Sequence, residues 1–185
     1  MPASIRSPTA LRSGLKARRV KGLDPTAPLG DNAERIVRVR LDELTSFMPR
    51  AADPDEVVAL HDMRIAAKRL RYVLEVTGDC FGPYAASAVK MVKELQDLLG
   101  EIHDCDVQLP EVAAFLEGLM EEDVVDPKRP NRRTYAGLVA LQVHLRARRR
   151  ALFEQFLELW RDYERKGFAA RLAFALSERS QSVET

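Results

Sequence analysis

One stretch limits the possible folds more than any other. Leu60, Met63, Ala67, Leu70 and Leu74 recur at helical spacing, which a strand with its period of two cannot bury on one face. The same periodicity returns along the rest of the chain, in Ile36 with Leu44 and Phe47, in Met91 to Leu99, and in Leu138 to Tyr163. Strand-like alternation is missing. The reading is all-α: an antiparallel bundle of long helices.

Start and stop signals divide the chain. Asp31 with Glu34 suggests a capping-box start for a helix to about Met48. Asp53-Pro54 with Glu56 opens a second helix that runs to about Val76, with Pro at its first position. Pro83 opens a third that ends near Gly100, and a fourth spans Asp104 to Glu122 with Pro110 as a kink or break. Asp126 to Arg133 reads as a loop. A long helix from about Thr134 to Lys166 follows, and after Gly167 a short one from Phe168 to Ser177. Residues 1–30 hold four prolines and six Lys/Arg without apolar periodicity, and read as a flexible basic arm. The domain is then 31–177, and 178–185 reads as a disordered tail.

No apolar run reaches the roughly 18 residues of a membrane span, and no signal-peptide core follows the basic N-terminus. Cys80 and Cys105 belong to no CxxC pair and suit a reducing cytoplasm. Net charge is only +1, so an anion site must come from sorting charge onto one surface.

The second helix does that sorting. His61, Arg64, Lys68 and Arg71 are spaced i, i+3, i+7, i+10 and fall in one sector about 80° wide. The Leu60–Leu74 stripe lies on one side of this ridge, and Ile65, Tyr72 and Val76 form a stripe on the other. Two flanking stripes imply two covering helices, with the ridge at the mouth of a groove. Like charges at this spacing repel by about 0.2–0.5 kcal/mol a pair, a cost that a bound anion removes. Arg offers a planar fork to phosphate oxygens, Lys a point charge, and His a donor that varies with pH. The alternative is that the ridge pairs with acids on neighbouring helices. Arg40 and Arg149 sit in the middle of apolar faces, so each either meets a buried carboxylate or points into the same wet groove. Lys90 and Lys93 extend the basic surface.

Two segments resemble a known family. His61-Asp-Met-Arg64-Ile-Ala-Ala-Lys68-Arg69-Leu-Arg71-Tyr72 is similar to the signature of the CHAD domain, the conserved histidine α-helical domain. Leu95-Gln-Asp-Leu-Leu-Gly-Glu-Ile-His103-Asp104-Cys-Asp106-Val107 resembles its second motif. The resemblance covers roughly Asp31 to Leu119. It implies a helical bundle that binds inorganic polyphosphate without catalysis or cofactor, in the cytoplasm or with polyphosphate granules. By position it implies that His61, Arg64, Lys68, Arg69 and Arg71 line the polyphosphate channel. A full family domain has two halves, each with a His motif, and this chain shows one, which leaves room for a homodimer that rebuilds the groove. His103 stands where Arg is common.

Three other readings compete. His61-Asp62 and His103-Asp104, with His144, evoke a metal-dependent phosphohydrolase of the HD type, but Arg64, Lys68 and Arg71 would repel a divalent cation from His61. Nucleic-acid binding shares the phosphate electrostatics, yet aromatics are only 6% and no DNA or RNA motif appears. The last is a bundle for protein–protein contact, with every ridge cation paired.

Overall fold

In the computed structural model the described residues are 16–127 and 130–178. They form helices α1 (Leu29–Thr45), α2 (Met48–Ala51), α3 (Val57–Thr77), α4 (Tyr84–Val125), α5 (Arg132–Arg165) and α6 (Phe168–Ser177), with a 3-10 turn at Gly78–Cys80. Among them there is no strand and no helix long and apolar enough to cross a membrane. The fold is all-α, as the periodicity requires.

Helix α3 is the centre of the bundle. Its Leu60, Met63, Ala67, Leu70 and Leu74 are all buried. On one side it packs on α1 through Val37, Leu41 and Leu44, and on the other on α4 through Val92, Leu95, Leu99 and Ile102. Phe153, Phe156, Trp160 and Tyr163 of α5 and Leu172 and Leu176 of α6 close the core. Gly167 takes a left-handed φ of 66° between α5 and α6, a conformation in which a side chain would be strained. It lets the chain turn so that α6 returns to the bundle.

Three boundaries differ from the sequence reading. Asp31 lies in the first turn of α1 and not at its cap; the helix begins at Leu29 after Pro28. Helix α3 starts at Val57, after Pro54 has ended a turn in which Asp53 Oδ1 accepts the Asp55 N–H. Most consequential, the third and fourth helices are one: α4 runs unbroken through Gly100 and Pro110. The core face Leu95, Leu99, Ile102 and Cys105 continues in phase across Gly100, so packing outweighs the roughly 1 kcal/mol a helical glycine costs.

Residues 16–28 hold no helix, but they are tied to α1. The Arg18 guanidinium donates to Ser46 Oγ at 2.7 Å, and the Arg18 carbonyl accepts from Arg40 at 2.6 Å. Asp24 N–H donates to Asn32 Oδ1 at 2.9 Å. The first half of the expected arm and the tail beyond Glu178 lie outside the described residues.

Candidate anion-binding site

Helices α3 and α4 run antiparallel, and two contacts fix their register. His61 Nδ1 lies 3.2 Å from His103 Nδ1, and a Cβ on Gly100 would stand 3.5 Å from Arg64 Nε. The two positions of each pair sum to the same number, so the same register sets Gln96 level with Lys68 and Lys93 level with Arg71. The ridge therefore follows the α3–α4 seam for about 15 Å, ten residues at the helical rise.

Arg64 lies across α4 at Gly100, where a small side chain still leaves it room, and the guanidinium has an unmet need there. Its Nε is buried and has no hydrogen-bond partner. Arg64 and Lys68 make no ion pair among the described residues, and both are free of acids that would neutralise them. Arg71 has only a loose partner, Glu75, at 3.5 Å along its own helix, and its Nε makes no hydrogen bond. Arg71 and Lys68 instead flank the ring of Tyr72, at 4.7 and 5.6 Å from its centroid, a cation–π arrangement of modest strength at an exposed ring. A buried guanidinium N–H without a partner is costly, so this seam is short of anionic oxygens. Gln96 Oε1, level with Lys68, is also buried without a partner.

The histidine pair sits at one end of the ridge, with ring centroids 4.5 Å apart. One Nδ1–H donates to the bare Nδ1 of the other, so the contact survives only while at least one ring is neutral. Burial, then the neighbouring His61 and Arg64, push His103 below the usual histidine range, although Asp104 and Asp106 pull the other way.

The remaining candidates are placed differently. Arg40 is buried and bonded to Glu43 and to the Arg18 carbonyl. Arg69 reaches the other oxygen of Glu43 at 3.0 Å. Glu43 is 1% exposed, so this is a buried Arg–Glu–Arg cluster between α1 and α3. Of the two fates open to Arg40, the buried carboxylate is the one realised, and neither arginine lies on the seam. Arg149 is held by Asp106 and by the Pro54 carbonyl, one turn past His103. It closes the end of the ridge with its charge already matched, and does not form an opposite wall. Lys93 pairs with Asp97 at 3.7 Å, and Lys90 is exposed.

The second apolar stripe is not covered. Ile65 is half-buried, Tyr72 is 47% exposed and Val76 80%. No helix of the described residues packs there, so among them the ridge is an open track between core and solvent and not the mouth of a closed groove. Two features escaped the sequence reading. Glu43 as a buried acid was signalled by its place three residues after Arg40. Gly100 as the bed of Arg64 had no signal until α4 was one helix. Among the described residues no three His, Cys, Asp or Glu side chains gather as a metal would require.

Fold and site together define a helical bundle with an unneutralised cationic track along one helix seam. The chain belongs to the CHAD domain family, whose model matches residues 3–113. CHAD domains relate to proteins of polyphosphate binding and metabolism. No curated protein and no solved structure compared with the chain matches it.

Proposed function

We propose that this chain binds inorganic polyphosphate, without catalysis, along the α3 ridge of His61, Arg64, Lys68 and Arg71. One observation carries the reading. In a chain with 28 acidic residues, Arg64 and Lys68 pair with no acid among the described residues, and Arg64 Nε is buried with its donor unused. A linear polyanion supplies what the seam lacks: oxygens at short, repeated spacing, each able to accept from a guanidinium or ammonium. A single small anion would satisfy one ridge residue and leave its neighbours repelling. The family's relation to polyphosphate favours that polyanion over others. Arg69, Arg40 and Arg149 support the site from behind by holding α1 and α5 in place, with their charges already paired.

The reading also fits location with polyphosphate in the cytoplasm or its granules. The test is calorimetric titration of the full chain with polyphosphate at two salt concentrations, followed by competition against RNA. Saturable binding that weakens with salt and resists an equal phosphate concentration of RNA supports the proposal. Tighter binding of RNA would replace it with nucleic-acid recognition. Absence of binding to either at low salt would refute it.

A further inference from the structure

The ridge has two defined ends, and they set how much of a polyanion one chain can hold. From His61 to Arg71 its positions advance in steps of three, four and three. The next step of four along the same helical line reaches Glu75 at one end. At the other it reaches Val57, the first residue of α3. On α4 the register fixed by the His61–His103 and Arg64–Gly100 contacts sets Val89 level with Glu75 and Val107 level with Val57. Neither helix therefore continues the seam with a cation at either end.

The surroundings of both ends agree. Past Arg71 the seam opens on a cavity of about 560 Å³, whose walls hold two acids, Glu75 and Asp79, against one cation, Lys90, over Leu74, Phe81 and Val89. Past His61 the loop before α3 carries Asp53, Asp55 and Glu56. On that side Arg50 is already paired with Glu56, and Arg149 with Asp106. Arg146 and Arg150 of α5 open on a different cavity, which they share with Asp55 and Glu154. A phosphate placed past Arg71 meets a carboxylate, and one placed past His61 meets two valines, so neither is held.

We infer that the track has a fixed length: one chain holds a run of about five or six phosphates, and Glu75 sets where that run stops. The ridge spans about 15 Å, which at about 3 Å per phosphate, close to the reach of one extended residue, is about five intervals. The inference rests on the polyphosphate reading and adds the extent of the site. A longer polymer gains further registers and room for further copies of the chain, and no single copy grips it harder.

The test is calorimetric titration of the full chain with polyphosphates of graded, defined length. Affinity per register should climb to about six phosphates and stay level beyond. Glu75→Lys puts a cation one step further, about 6 Å on, with room for about two more phosphates. It should move the level point to about eight, raise the affinity of long chains about tenfold and steepen their salt slope by about 0.7. Glu75→Gln frees Arg71 without adding a cation, so it should strengthen binding and leave the level point unmoved. Glu75 has 41% of its side chain exposed, and its ion pair is the loose one to Arg71, so both variants should keep the helicity and melting of the unaltered chain. An affinity per register that keeps rising through much longer chains overturns the inference and leaves polyphosphate binding standing, and so does a level point that Glu75→Lys does not move. Absence of binding at every length removes the polyphosphate reading as well.

Discussion

Replacing Arg64 and Lys68 together by Ala should abolish polyphosphate binding while leaving the apo protein as stable as before or more so. Both halves follow from the same geometry. Arg64–Lys68 and Lys68–Arg71 are like-charge pairs at helical neighbour spacing, each worth about 0.2–0.5 kcal/mol of repulsion. Removing the two side chains relieves both pairs, a gain of roughly 0.4–1 kcal/mol, and removes a buried donor without a partner. Lost packing of the Arg64 stem across Gly100 offsets part of that. The net expectation is a melting temperature unchanged or raised by about 2–4 °C.

Binding should move the other way. A hydrogen bond to a charged group contributes about 1.5–3 kcal/mol. Two lost contacts are then about 3–6 kcal/mol, a fall of roughly two to four decades in affinity. The salt dependence gives an independent count. With about 0.7 of a counterion released per contact on a single-stranded polyanion, three permanent cations give a slope near −2 in log K against log salt. The double variant should fall to about −0.7. Calorimetry across salt and thermal melts without polyphosphate make the two measurements. A variant that melts much lower yet binds with an unchanged slope would show that Arg64 and Lys68 are structural, and the ridge would no longer be the site.

Further predictions concern the same region. Because His103 is depressed when the site is empty, it favours the neutral ring in the fold; the apo protein should lose stability as pH falls from about 6.5 through the lower folded value. A polyanion beside it reverses that preference, so binding should strengthen over the same fall and take up protons, read as a dependence of calorimetric heat on buffer. Glu43→Gln should destabilise strongly, by about 3–5 kcal/mol, because it leaves Arg40 and Arg69 without their shared buried acid; a melt near that of the unaltered chain would put Arg69 back among the candidate ligands. Gly100→Ala should be tolerated or gain up to about 1 kcal/mol in a chemical melt, since its Cβ makes an ordinary contact with Arg64. Gly100→Leu, in contrast, should lift Arg64 from the seam and weaken binding without unfolding the chain.

The sequence showed most of the helices and the ridge because both are local. A helical face is written in residues three and four apart, and so is a line of cations on it. What it could not show was whether a neighbour arrives. Ile65, Tyr72 and Val76 have the spacing of a buried stripe, yet no helix among the described residues comes to cover them. Arg69 and Arg149 look like free cations until the fold brings Glu43 and Asp106 to them from 26 and 43 positions away, whereas the acid that meets Arg40 stands three residues along its own helix. Gly100 and Pro110 carry strong local stop signals, and the core face of α4 overrides both. Apart from the Arg40–Glu43 pair, each miss concerns a contact between distant segments, which no spacing rule within a helix contains.

The near-neutral total charge is the more telling figure once the fold is known. With 29 cations and 28 acids, full pairing is within reach of the composition, and much of the bundle does pair: Glu43 alone serves two arginines. The acids that could have served the ridge stand on the other side of α4. Glu94, Asp97 and Glu101 face Glu158 and Asp162 of α5 along a separate groove, where Lys90, Lys93 and Arg165 leave a small acidic excess, so α4 divides a cationic seam from a mildly acidic one. Such a division leaves the like charges of the ridge unrelieved, and it serves nothing in a bundle that only has to fold. It does serve a polyanion: the field draws it to the α3 side and repels it from the α5 side, which fixes the face on which it lies before any contact forms. Converting Glu94 and Asp97 to Gln and Asn should therefore slow association by weakening that field, while dissociation, set by the ridge contacts, stays the same. Stopped-flow rates at low salt would separate the two, and an unchanged association rate would mean that the sorting of charge across α4 plays no part in capture.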